Sequence, residues 1–131
     1  MNIQRVVKFL NLALEESKQS TYTRVKIGAV IAQGNKVISK GANLSTSHPI
    51  QAYWNRVTNR LAPANNLHAE MHALVRAKRS GESLEGATIY IARLDRNNQL
   101  SQCRPCVACM AALTNAGIHT VIHTTPENLN Q

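Results

Sequence analysis

Aromatic side chains are scarce in this sequence: one Phe, one Trp and three Tyr among 131 residues. A core built on stacked rings is excluded, and the interior must be mainly aliphatic. Long apolar runs are missing too. No stretch approaches the roughly 20 residues that a bilayer-spanning helix needs, so no membrane association is expected. The opening MNIQRVVKFLNLALEESKQS is not a signal peptide, because Arg5, Lys8, Glu15 and Glu16 interrupt its apolar residues and no small-residue cleavage site follows. A cytoplasmic, soluble protein is therefore expected. There are only three cysteines, and in a reducing compartment clustered cysteines mean metal binding or catalysis more often than disulfides. Internal repeats, low-complexity tracts and interdomain linkers are also absent. Residues 1–131 are expected to form a single domain, long enough to bury a core without covalent staples.

Acidic residues are missing from one long stretch. Between Ser17 and Ala69 there is none, while Lys18, Arg24, Lys26, Lys36, Lys40, Arg56 and Arg60 all fall there. A second basic group, Arg76, Lys78 and Arg79, follows, and the net charge is +8. Such a distribution is either a solvated surface or an attraction to phosphate, and charge alone does not separate a nucleotide from a nucleic acid.

Periodicity orders the chain. Apolar residues at mostly helical spacing predict an amphipathic helix over 3–18. KIGAVIAQ and KVISKGAN read as two strands joined by a Gly34-Asn35 hairpin turn. Residues 44–66 are polar, bounded by Ser/Thr-Pro and Pro-Asn turn chemistry, with a short helix around 51–60. HAEMHALVRAKRSG is a helix closed by Gly81. ATIYIARL is a third strand and DRNNQ a turn. CVACMAALTNAG is a helix with Pro105 at or near its first position. HTVIHTT is a fourth strand, and the tail PENLNQ frays. This order predicts an α/β fold whose mixed sheet, of about four to five strands, opens with a hairpin and has its parallel strands covered by helices.

All three cysteines lie in CRPCVACM, three apart. At a helix N-terminus residues i and i+3 share a face, so Cys106 and Cys109 point together from an end that favours thiolate. Cys103 precedes Pro105, which pushes Arg104 into an extended conformation, and so Cys103 is expected to be a small buried thiol off that face. Catalytic zinc takes three protein ligands plus water. The best third ligand is His68 in His68-Ala69-Glu70, at the start of another helix, where His68 and Glu70 can both address one site. Alone, Cys106-x-x-Cys109 would fit a redox or accidental pair as well as zinc.

His68-Ala69-Glu70 together with Pro105-Cys106-Val107-Ala108-Cys109 resembles the signature of the cytidine/deoxycytidylate deaminase-like zinc enzymes. The hairpin ending in Gly41-Ala42-Asn43 is similar to that family's as well, and the likeness covers roughly residues 3–124. It implies a three-layer α-β-α sandwich and a zinc cofactor (Zn2+) held by His68, Cys106 and Cys109. It also implies attack of zinc-activated water on an amidine carbon of the base, with Glu70 as proton shuttle. Asn43 and the Ala69 N–H become candidate substrate contacts. His72 is expected to be packing or a support to the site. His48, His119 and His123 are expected to be structural or on the surface, and Tyr53 and Trp54 to lie in the core or at an oligomer contact.

Three readings of function remain on the sequence. The first is a deaminase of a free cytosine nucleotide such as dCMP, with Arg104, Lys40 or the basic loop holding its phosphate. The second is a deaminase acting on polynucleotide, either tRNA adenosine or single-stranded cytosine, which the basic stretch favours. The third is a non-catalytic zinc-stabilised subunit, against which Glu70 argues because a structural zinc site needs no proton shuttle. The first is preferred. The resemblance also implies a closing element beyond the fourth strand, so a homo-oligomer in which a partner completes the pocket is expected.

Overall fold

The structure, a computed structural model, describes residues 2–22, 24–61 and 66–125. The turn expected at 63–65 and the tail 126–131 lie outside the described residues. The chain opens with α1 (Ile3–Ser17), capped by the Asn2 side chain, which accepts from the Arg5 N–H at 3.0 Å. β1 (Lys26–Gln33) and β2 (Lys36–Ala42) form the hairpin, with Gly34 at φ 60° supplying its turn. Then come α2 (Pro49–Val57), α3 (Ala69–Ser80), β3 (Thr88–Leu94), β4 (Leu100–Ser101), α4 (Val107–Asn115) and β5 (Thr120–His123). Among the described residues the architecture is mixed α/β, with four helices and a five-stranded sheet.

β3 pairs antiparallel with β1 and parallel with β5. Parallel pairing is therefore narrower than the sequence suggests. The crossover through α3 carries the chain past β1, so β3 runs parallel to β2 but lands on the far side of β1, which must be antiparallel to it. β4 is also new. It pairs Ser101 with Arg93 and Leu100 with Leu94, extending β3 into a second hairpin whose turn is tied by Asp95 Oδ1 accepting from the Asn97 and Gln99 amides.

Strand alternation gives the sheet two apolar faces. Val30, Ala32, Tyr90 and Ala92 face α1, meeting Phe9, Leu10 and Ala13. Ala29, Ile31, Ile89 and Ile91 face the opposite way, against Met71, Ala73 and Leu74 of α3 and Ala108, Ala112 and Leu113 of α4. These are the three layers, and the core is aliphatic apart from the tilted Phe9–Tyr90 pair, centroids 5.0 Å apart.

One glycine fixes how close α3 comes to the sheet. A Cβ on Gly41 would meet the backbone of α3 itself, the Ala73 nitrogen and the Ala69 carbonyl oxygen, the latter at 2.7 Å. Backbone cannot yield as a side-chain tip does, so the first turn of α3 is seated directly on β2. Gly41→Ala is expected to lower stability by about 1–3 kcal/mol or more, the usual range for overpacking, measured by urea denaturation against wild type. A change below about 0.5 kcal/mol, typical of neutral surface substitutions, would show that the contact is not tight.

Candidate metal centre

Two helix N-termini converge at one end of the sheet. His68 is the N-cap residue of α3 and Cys106 that of α4, both with extended backbone. Cap residues leave the helix axis, so their side chains reach across the gap between the two helices. His68 Nδ1 lies 3.5 Å from Cys106 Sγ and 3.3 Å from Cys109 Sγ. The ligand atoms of the three residues all fall within 4.8 Å of one another. Pro105 stands just outside α4, which begins at Val107. It is not the first helical residue, because Cys106 takes the cap position and its sulfur accepts from the Cys109 N–H at 3.5 Å.

The electrostatics follow from this geometry. The hydrogen bond from Cys109 brings the Cys106 thiol down to about 3, assisted by His68 and the Cys109 amide, although burial opposes the shift. The same pairing, with burial, raises Cys109 well above its ordinary value. Of the two thiols, Cys106 is therefore the one favoured as thiolate. A nitrogen and two sulfurs, one of them favoured as thiolate, form a donor set that fits zinc with three protein ligands.

Glu70 follows in the first turn of α3 and is 5% exposed. Burial raises its pKa, with partial opposition from its own backbone N–H and the nearby His68. The first intrahelical donor of α3 is the His72 N–H onto the His68 carbonyl, at 3.0 Å, so the amides of residues 69–71 have no partner within the helix. Ala69 itself is fully buried.

A cavity of about 200 Å³ adjoins this cluster, and His68, Glu70, Cys106, Asn43 and Arg104 line it. Asn43 is committed on two sides. Its Oδ1 accepts from the Ile27 N–H at 2.9 Å, and its Nδ2 donates to the Val25 carbonyl at 3.1 Å. One amide hydrogen and one lone pair remain for the cavity. Arg104 is exposed, at the rim. Cys103 is buried, its sulfur 3.5 Å from the Thr124 hydroxyl, and burial lifts its thiol to about 11. His72 Nδ1 sits 3.1 Å from both the amide and the carbonyl of Ala42, bracing β2 against α3. His48 caps α2, accepting from the Ile50 N–H. His123 lies in a neighbouring depression with Arg104, and His119 is exposed. Tyr53 and Trp54 stack on each other, 5.0 Å apart, and do not line the metal-side cavity.

Three contributors escape the sequence. α2 starts at Pro49, two residues before the expected 51, and ends at Val57. It carries Gln51, fully buried, whose Oε1 accepts from the His68 N–H at 3.0 Å while its Nε2 donates to Asn55. Tyr22 and Arg93 also line the cavity. A glutamine in a polar segment gives no signal of its own. Its placement under His68 is visible only once α2 is folded back.

The sequence profile described as "Cytidine and deoxycytidylate deaminase zinc-binding region" matches residues 3–125. Among curated proteins the chain is similar to ComE operon protein 2 of Bacillus subtilis (strain 168), 28% identical over 108 residues, covering 80% of this chain and 51% of that one. It is also similar to the deoxycytidylate deaminase of Enterobacteria phage T4, 26% identical over 162 residues, covering 94% of this chain and 77% of that one. The chain thus spans about half the length of the Bacillus relative. Among solved structures, the dCMP deaminase of cyanophage S-TIM5, in complex with dCMP and dUMP, superposes with a TM-score of 0.70 at 19% identity, over 99% of this chain and 90% of that one. That likeness establishes the fold.

Two consequences are measurable. Because burial raises the Glu70 pKa, ionising this carboxyl destabilises the metal-free fold. That stability is fully present below the unfolded value of about 4.3 and is lost as pH rises through the raised folded value. Metal-free Glu70→Gln is therefore expected to be more stable than wild type at pH 7, with the advantage vanishing near pH 4; equal stability at both pH values would contradict this. Gln51→Ala leaves the His68 N–H without its acceptor and is expected to lower stability by about 1–3 kcal/mol in the same denaturation assay.

Proposed function

The chain belongs to the cytidine and deoxycytidylate deaminase zinc-binding family, and from that premise we propose that it is a zinc-dependent hydrolytic deaminase of a cytosine mononucleotide, dCMP-like, yielding the uracil nucleotide and ammonia. The observation that carries this reading is the His68, Cys106 and Cys109 cluster beside a buried carboxyl, Glu70, next to one cavity that Arg93 and Arg104 also line. The names of the phage relatives point to the same substrate.

In this reading His68, Cys106 and Cys109 would hold a zinc ion, which when bound would supply Lewis-acid activation of water. Glu70 would take a proton from the attacking water, pass it to the ring nitrogen and then assist the departing ammonia. Its pKa, raised by burial, suits a group that must carry a proton between two atoms. The Ala69 amide, free of helical pairing, holds the base, and the remaining amide hydrogen of Asn43 addresses base or sugar. Arg104 at the rim offers positive charge to the phosphate.

Residues 1–131 act in this proposal as a single catalytic domain in the cytoplasm, where thiol ligands stay reduced. Among the described residues no helix is long and apolar enough to cross a membrane. The protein is further proposed to be a homo-oligomer. Support comes from the apolar surface of α2 and α4, where Tyr53, Val57, Val107 and Met110 are exposed.

Purified protein is expected to contain about one zinc per chain and to release ammonia from dCMP. Glu70→Ala should retain the metal and lose at least about 100-fold in turnover, the lower range for general acid–base catalysis. Cys103→Ser should retain both metal and turnover. Protein without zinc, or activity confined to oligonucleotides or tRNA in a panel with cytidine, dCMP, dCTP and guanine, would overturn this assignment.

A further inference from the structure

The β3–β4 hairpin brings an arginine to the cavity that neither the metal cluster nor the proton shuttle employs. Arg93 lies on the same face of β3 as Ile91, and both line the cavity beside Glu70 and His68, whereas Tyr90 and Ala92 face α1. Its Nε is closed to solvent and has no hydrogen-bond partner among the described residues. Its guanidinium takes no part in the ion pairs among the described residues, which join Lys18 to Glu15, Lys36 to Glu82 and Arg76 to Glu16. Leaving the Nε donor desolvated and unpaired is unfavourable, and the half-buried guanidinium would gain a partner from an arriving anion.

A second unpaired donor stands next to it. Ser101 is the cross-strand partner of Arg93, so their side chains share one face. The Ser101 hydroxyl is likewise closed to solvent and unpartnered among the described residues. The backbone beneath the two is held firmly. The fully buried Thr124 hydroxyl accepts from the Arg93 N–H at 3.1 Å and donates to the Ser101 carbonyl at 2.9 Å. Of the two, Arg93 lines the cavity, and its forked cation on a braced hairpin matches the oxygens of a phosphate, with the Ser101 hydroxyl behind it. Arg104, exposed at the rim, is hydrated without a ligand and has no comparable need.

We propose that Arg93, supported from behind by Ser101, binds the phosphate monoester of the substrate and so sets the preference for a nucleotide over a nucleoside. This rests on the nucleotide deaminase reading above. It assigns the main phosphate contact to Arg93 and leaves Arg104 to attract the substrate at long range.

The test compares wild type, Arg93→Gln, Arg93→Lys and Ser101→Ala, all zinc-loaded, on dCMP, deoxycytidine and a short single-stranded oligodeoxynucleotide containing one cytosine. Binding of inorganic phosphate is followed in parallel by calorimetry at low ionic strength. Arg93→Gln is expected to lower kcat/KM for dCMP by about tenfold or more, as for loss of a charged hydrogen bond. Deoxycytidine turnover should stay within about threefold, the size of an ordinary surface effect, and phosphate binding should disappear. Arg93→Lys should fall between wild type and Arg93→Gln, and Ser101→Ala should weaken dCMP several-fold less than Arg93→Gln. Equal effects on dCMP and deoxycytidine, no effect on dCMP, or a loss confined to the oligonucleotide would overturn the proposal while leaving a deaminase in place. If wild type deaminates no cytosine compound yet binds phosphate through Arg93, the anion site stands and the deaminase reading falls. If wild type binds no phosphate and prefers deoxycytidine, the anion site falls.

Discussion

Two positively polarised helix ends lie side by side in this protein, and the rest of the structure depends on the side chains that they share. The N-termini of α3 and α4 each present unpaired amides and a partial positive charge. Bringing them together is unfavourable unless an electron-rich group fills the gap. His68 and the two thiols of Cys106 and Cys109 do so, with sulfur to nitrogen distances of 3.3 and 3.5 Å. The lowered pKa of Cys106 follows from that placement, as does the fit to a dication that would screen the two ends and bind the same three atoms.

The remainder of the fold holds that meeting point in place. Gly41 lets α3 settle on β2, and His72 ties the same helix to the Ala42 backbone. Gln51 reaches from α2 to the amide of His68, so the long connection after β2 supports the candidate ligand from behind. On the other side, Thr124 joins the end of β3 to β4 and Cys103 packs against it. The buried, high-pKa thiol is thus part of the frame for the cavity wall. The three cysteines, evenly spaced in sequence, occupy two different environments because α4 begins only after Pro105.

Much of this was legible in the residues. The periodicities of α1, β1, β2 and α3 are strong, and their capping and turn residues, Gly34 and Gly81, mark their ends. The His68, Glu70, Cys106 and Cys109 pattern could be read because each half sits in the first turn of a helix, where side-chain spacing translates directly into shared direction. The other features depend on tertiary contact. A two-residue strand such as β4 has no period to detect. The antiparallel placement of β3 beside β1 is set by where the α3 crossover lands, which local sequence does not encode. Gln51, Arg93 and Tyr22 are ordinary polar or amphipathic residues until folding brings them to the cavity. Asn43 shows the converse. The resemblance makes it a candidate substrate contact, and it lines the cavity, but most of its amide is occupied in holding the start of β1.

The central claim is that two, and only two, of the three cysteines act with His68 on a single metal ion. X-ray absorption at the zinc edge of the purified protein measures this directly. The account predicts two sulfur neighbours at about 2.3 Å and two lighter neighbours, one nitrogen and one oxygen, at about 2.0–2.1 Å. A shell of three sulfurs, which would draw Cys103 out of the wall behind the cavity, or a shell of nitrogen and oxygen alone, would contradict it.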